Sequence, residues 1–394
     1  MTASRIHQAW QHLLHATAER ITLMSAAEQT RLSWAKPIRT ADKIPEAYCA
    51  YLQAQLPGLD ACLPAVLTPT FRGFLRRENE KLVFIHDEHL YILEQTPAGL
   101  LPVVFPLADI TYVEVGGILL KAWVRVNGLI DRELATATLK YNSVTQYLFD
   151  PLVAQIRRFQ SRAQAGRKPS VAGNDWSTQG PATRSEPEQA QEPFILSGAQ
   201  PSPDPFPLSG AQPSPDPFTL SGAQRSRRVD GQIDEDVHIA AELSLEQAKF
   251  DPLRDGHFKF MNYARRSLQP GERVVAYTVQ PELRQPRLTV LGKPLALHTL
   301  ETAHLCILTD HELIVIRDDP TSMQDYNEAR YGGIWDYLPL SQIQGAAIEE
   351  RPAGYLALLV RLPGGDRMEV LFSTEKRSEL EQVCARLAAT SQPN

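Results

Sequence analysis

The chain has 394 residues, of which 40 are basic and 46 acidic, giving a formal net charge of -6; 22% are charged and 43% hydrophobic. That balance fits a folded protein with room for two or three cores. It gives no general attraction to nucleic acid or anionic lipid, and no apolar run approaches the length of a membrane span.

Residues 1–57 read as a helical segment. Ile6, Trp10, Leu13 and Leu14 fall at helical spacing, and Pro45 can open a second helix through Tyr48, Tyr51, Leu52 and Leu56. The nearby His7, His12, His15 and Arg20 are too sparse for a membrane-surface helix, so packing on a neighbouring domain is expected. The N-terminus has no basic stretch followed by an apolar one and reads as neither signal peptide nor anchor. Four cysteines, Cys49, Cys62, Cys306 and Cys384, contain no CxxC pair, so free thiols in a reducing cytoplasm are expected.

Residues 58–162 carry strand patterns. LVFIHDEHLYIL, from Leu82 to Leu93, is two apolar stretches around a polar turn, the pattern of a β-hairpin, with Asp87 placed to cap turn amides. KAWVRV (from Lys121) and TATLKY (from Thr136) follow, with Asn127 and Gly128 between them as the turn. Ser143 and Gln146 then form a capping box before Leu148, Leu152 and Ile156, which share one helical face. Pro151 either kinks that helix or marks its first turn.

Residues 163–238 differ in composition. Eleven of the thirty prolines fall between Pro169 and Pro217, and ILSGAQPSPDPF from Ile195 recurs as PLSGAQPSPDPF from Pro207, with a partial TLSGAQ from Thr219. Each unit has too little apolar surface to offset its backbone entropy, so a disordered Pro-rich linker is expected. Phe206 and Phe218 recur once per unit and would be the docking anchors if the repeat binds a partner; tandem growth of a linker is the simpler account.

Residues 239–394 open with a helical lead-in, SLEQAKFDPLRDGHFKFMNYARR from Ser244, and the strand ERVVAYTV. The patterns of the first half then return. LCILTDHELIVI, Leu305 to Ile316, matches Leu82 to Leu93 without a gap at an offset of 223, with Asp310 in the place of Asp87. PLADI (from Pro106) corresponds to PLSQI (from Pro339) at an offset of 233, KAWVRV to ALLVRL, and TATLKY to RMEVLF. Tyr141, Phe149, Leu152 and Ile156 correspond to Phe372, Leu380, Val383 and Leu387 at 231. The conserved order of these matches argues for an internal duplication.

The hairpins around Asp87 and Asp310, the connections PLADITYVEV and PLSQIQGAAI, and the closing helices together resemble the pleckstrin-homology-like (PH-like) superfold. The likeness is to its bacterial and GRAM-like branches and covers about Ala61 to Ser161 and Pro270 to Ala389. It implies a mainly β fold with α: two PH-like, partly open β-barrels, each closed by a C-terminal helix, with N-terminal helices and the linker besides. It implies a non-enzymatic binding or scaffolding protein with a protein or peptide partner. Headgroup-binding members gather Lys and Arg near the first strand pair. The corresponding rim here is Arg72, Arg76, Arg77, Lys81, Lys121, Arg125 and Lys140, interleaved with Glu78 and Glu80. Peripheral recruitment by anionic lipid headgroups is therefore the rival reading.

No catalytic residue, cofactor or metal is expected. HDEH, His86 to His89, sits in a hairpin turn and would face solvent; His304, Cys306 and His311 lack a fourth ligand. Gly116-Gly117 and Gly332-Gly333 suit turns and no phosphate-binding or nucleophile motif occurs. Phe71, Phe74 and Phe84 among Arg72, Arg76 and Lys81 make a poor stacking platform, so nucleic acid is not an expected partner. A hydrolase with an unrecognised site is the remaining alternative.

Overall fold

A computed structural model describes residues 33–72, 77–165, 230–290, 293–318, 332–352 and 354–391. The first half runs β1 (Lys36–Ile38), α1 (Glu46–Gln55), β2 (Ala65–Leu67), β3 (Phe71–Arg72), β4 (Arg77–Glu78), β5 (Lys81–His86), β6 (His89–Thr96), β7 (Gly99–Pro106), β8 (Ile110–Ile118), β9 (Lys121–Ile130), β10 (Glu133–Asn142) and α2 (Asp150–Ala165). The second half runs α3 (Asp230–Ala248), α4 (Arg254–Ser267), β11 (Val274–Gln280), β12 (Leu283–Val290), β13 (Lys293–Glu301), β14 (His304–Thr309), β15 (Glu312–Arg317), β16 (Gly333–Pro339), β17 (Gly345–Arg351), β18 (Tyr355–Arg361), β19 (Arg367–Ser373) and α5 (Arg377–Ser391). The described residues up to 165 and from 237 onward belong to one compact unit. The Pro-rich repeats, with Phe206 and Phe218, and the apolar stripe of residues 6–14 lie outside the described residues.

The two hairpins expected from the sequence are β5–β6 and β14–β15, with Leu82 opposite Leu93 and Leu305 opposite Ile316. Alternation along a strand sends successive side chains to opposite faces. In the first hairpin Leu82, Phe84, Tyr91 and Leu93 join Tyr48 and Leu52 of α1, while Val83, Ile85, Leu90 and Ile92 face a different core. The second hairpin divides at the same positions. Leu305, Ile307, Ile314 and Ile316 join Phe260, Met261 and Ala264 of α4; Cys306, Leu308, Leu313 and Val315 join Leu380, Val383 and Leu387 of α5. Helices α1 and α4 thus cover the same face of their respective hairpins, so the repeat extends to a leading helix that the sequence match does not reach.

Among the described residues all strand pairings are antiparallel, and none of the sheets closes into a barrel. β1-β2-β5-β6-β7 form one sheet and β17-β18-β19 another. The largest, β10-β9-β8-β16-β15-β14-β11, draws three strands from the first half and four from the second. The halves therefore meet along β8 and β16, from Gly333 opposite Gly117 to Tyr337 opposite Val113.

Several local expectations change. Asn127 and Gly128 are not a turn but lie inside β9; the turn comes at Asp131 and Arg132, both with positive φ. Gly128 is needed in the strand because a Cβ there would lie 2.8 Å from the Asp109 carbonyl oxygen. Gly116 and Gly117 are likewise inside β8, and Gly333 opens β16. Ser143 and Gln146 make no capping box. The side chain of Asn142 accepts from the Val144 N–H, and Gln146 instead donates to Asp150, so Pro151 marks the first turn of α2. Within residues 1–57 a short strand, β1, precedes the helix. In the second hairpin the turn amides of His311 and Glu312 are taken by the Thr309 hydroxyl rather than by Asp310, whose carboxylate accepts from the Arg273 N–H.

Candidate binding surfaces

The expected basic rim is assembled only in part. Arg76 and the side chains of Arg72 and Arg77 lie outside the described residues. Lys81 donates to the Thr138 carbonyl at 2.8 Å and pairs with Glu94 at 3.5 Å. Lys140 pairs with Glu78, and Arg125 with Glu114 at 2.9 Å. Lys121, at the start of β9, is exposed. Three of these cations are thus matched by carboxylates, which lowers the positive potential that an anionic headgroup would need.

The charges at the join between the halves are more deeply placed. Glu114 on β8 and Asp336 on β16 face each other across the seam, both buried. Two like charges so placed require partners on either side. Trp123 and Arg125 donate to Glu114, and Arg317 donates to Asp336 at 2.6 Å. Burial pushes the Asp336 carboxyl up to about 6; Arg317 works against that rise, and Glu114 adds to it. Its Oδ1 finds no donor among the described residues. The Trp123 indole lies over Gly116, where a Cβ would be 2.1 Å from the ring.

A second buried cluster ties α2 to the other half. The Arg157 guanidinium donates through Nε to Glu312 at 3.0 Å and through Nη2 to the Ser267 carbonyl at 2.7 Å, and it stacks 4.0 Å from the centre of the Tyr337 ring. Glu272 lies 3.5 Å from the same nitrogen and accepts from the Gln269 N–H and the Thr309 hydroxyl. Burial, and then the neighbouring Glu312, push Glu272 up to about 8. Sequence reading misses these groups, although each was visible as a charge within or beside an apolar run: Glu114 in TYVEVGG, Asp336 in GIWDYLP, Arg157 on the apolar side of α2. The missing information was the partner, which comes from the other half of the chain.

The remaining sequence candidates are dispersed. His86 contacts the Asp87 carboxylate at 3.1 Å, and His89 Nδ1 lies 2.6 Å from the Asp87 carbonyl. His304 and Cys306 point to the same face of β14, both buried, and burial lowers His304 to about 4. Among the described residues, no three His, Cys, Asp or Glu side chains gather as a metal site would require. A cleft of about 450 Å³ lies between the first hairpin turn and α2, bordered by His86, Asp87, Glu88, Arg158, Arg162 and Phe159. Its mixed charges select no single class of ligand. No described helix is long and apolar enough to cross a membrane.

The sheet edges offer the clearest recognition geometry. β8 is an edge of the first half that receives a strand, β16, from the second. Its counterpart in the second half is β17, which begins just after the PLSQI segment, as β8 begins at the end of PLADI. β17 ends its sheet with β18 on one side and no described strand on the other. α5 packs beside it, and Arg377 at the start of that helix pairs with Glu350. No family model, curated protein or solved structure matches this chain.

Proposed function

We propose that the chain is a non-enzymatic binding and scaffolding protein, built from two fused PH-like units, that takes an extended segment of a protein partner at the β17 edge. The PH-like reading is supported by the shared element order of the halves. Each has a leading helix, a four-strand group (β2, β5, β6, β7; β11, β14, β15, β16), a three-strand group (β8–β10; β17–β19) and a closing helix. The observation that carries the function is β8 paired with β16. One unit already receives a strand from a separate part of the sequence, and the equivalent edge of the other unit has none among the described residues. An unpaired edge offers a row of backbone donors and acceptors, and strand addition satisfies them.

A library of extended peptides selected against the full chain tests the proposal. Selected peptides are expected to slow amide exchange across residues 345–351. No enrichment, or protection confined to other elements, would overturn it. The headgroup alternative predicts pelleting with anionic vesicles at low salt. With Lys81, Arg125 and Lys140 already paired, no lipid-dependent pelleting is expected.

A further inference from the structure

The β8–β16 seam joins unlike surfaces, a β8-type edge on one repeat and a β16-type edge on the other. A contact of that kind is not self-complementary, so the same pairing can repeat from one copy to the next. Each repeat carries both surfaces, so the second pair remains: β7 is the first half's counterpart of β16, and β17 is the second half's counterpart of β8. Neither has a strand on its outer edge among the described residues. Left unguarded, β7 of one copy could accept β17 of another, extending the sheet copy after copy.

The hydrogen-bond parity of β7 shows what stands in the way. The Leu107 N–H donates to the Glu88 carbonyl at 2.8 Å, and β6 and β7 pair without a register shift. In an antiparallel ladder, alternate residues turn both backbone groups to the same partner. Odd-numbered residues of β7 therefore bond to β6, and even-numbered ones face outward. On β16, the Leu340 N–H donates to the His311 carbonyl at 2.9 Å, so even-numbered residues face β15 and Gly333, Trp335 and Tyr337 face β8. At the offset of 233, Trp335, the middle donor of the seam, corresponds to Pro102 on β7. Proline has no N–H to give. Leu101 beside it is 53% exposed, so this edge is not protected by burial.

We propose that Pro102 is a guard residue that keeps β7 from adding the β17 edge of a second copy, limiting the seam to one per chain. This rests on the reading of β17 as receptive, which the peptide experiment tests separately. The test here is sedimentation velocity of the full chain across the micromolar range, with amide exchange. The wild type is expected to sediment as one species at every concentration. Pro102→Val, which leaves the β6 ladder intact because residue 102 faces outward, is expected to raise the average mass about twofold or more with concentration. Protection should appear together at residues 99–106 and 345–351. Adding Val104→Pro restores a proline at an outward position and should restore the single species. A folded Pro102→Val chain that stays a single species overturns the proposal. So does association that persists in the double variant, or a wild type that already associates with β7 protected.

Discussion

At residue 116 the strand has no room for a side chain, because the Trp123 indole, held by its bond to Glu114, occupies the space a Cβ would need. Gly116→Ala is expected to lose about 2 kcal/mol of stability through overpacking, read as a lowered urea midpoint with an unchanged slope. The glycine pair was legible in the sequence, but its reason was not, since the ring that excludes a Cβ comes from the neighbouring strand. Glu272 makes a second prediction. Its folded pKa, about 8, lies above the ordinary 4.5. The folded chain therefore holds a proton that the unfolded chain has released. That contribution is fully present below pH 4.5 and is lost as pH rises through 8. His304 works in the opposite sense at lower pH. Its folded value of about 4 against 6.5 costs stability as pH falls through that window. Between pH 6.5 and 8 the Glu272 effect stands clear of it, and stability should fall by roughly 1–2 kcal/mol. Glu272→Gln should flatten chemical-denaturation stability over that interval; an unchanged slope would show that Glu272 does not hold the proton.

At the scale of elements, the hairpins were legible because a period of two, repeated at a fixed offset, leaves little choice of register. The turn between β9 and β10 was not. Asn-Gly is a strong local signal, but β9 continues through it to pair with β8 and β10, and Gly128 serves the close approach of Asp109 instead. Local preference yielded to pairing across the sheet. The leading helices escaped the sequence match for a related reason. What α1 and α4 share is the hairpin face they cover, which different apolar side chains can fill. Helix α2 adds a contact specific to one half, since Arg157 reaches Glu312 and Glu272 of the other. Removing the guanidinium leaves the buried Glu312 carboxylate without its cation, beside a Glu272 that already holds a proton. Arg157→Leu should therefore cost about 3–5 kcal/mol, and the additional variant Glu312→Gln should recover part of that loss in denaturation curves. Equal stability of Arg157→Leu and wild type would mean that α2 does not seat on the second half as described.

For the whole molecule, the sequence suggests two domains on a tether, and the sheet adds a direct join between them. The distinction has a measurable consequence. The Pro-rich segment between Arg167 and Arg228 has the composition at which proteases cut first. If the segment alone held the halves together, one cut would release two independently migrating fragments. The β8–β16 ladder, the Glu114–Asp336 charge row and the Arg157 cluster instead join the halves without using the segment. One core also draws side chains from both, Val113 and Val124 beside Ile307 and Ile314. The cut protein is therefore expected to elute from a sizing column as a single species of near-intact mass, with two bands appearing only on a denaturing gel. Urea should separate the fragments, and in the cut Arg157→Leu protein they should separate at a lower concentration, because α2 then lacks the cation that ties it to Glu312 of the other half. Fragments that part in buffer alone would show that the seam is too weak to hold the halves. The strand-addition reading of β17 would then lose its precedent, since it takes the pairing of β8 with β16 as the example of a strand held by this type of edge.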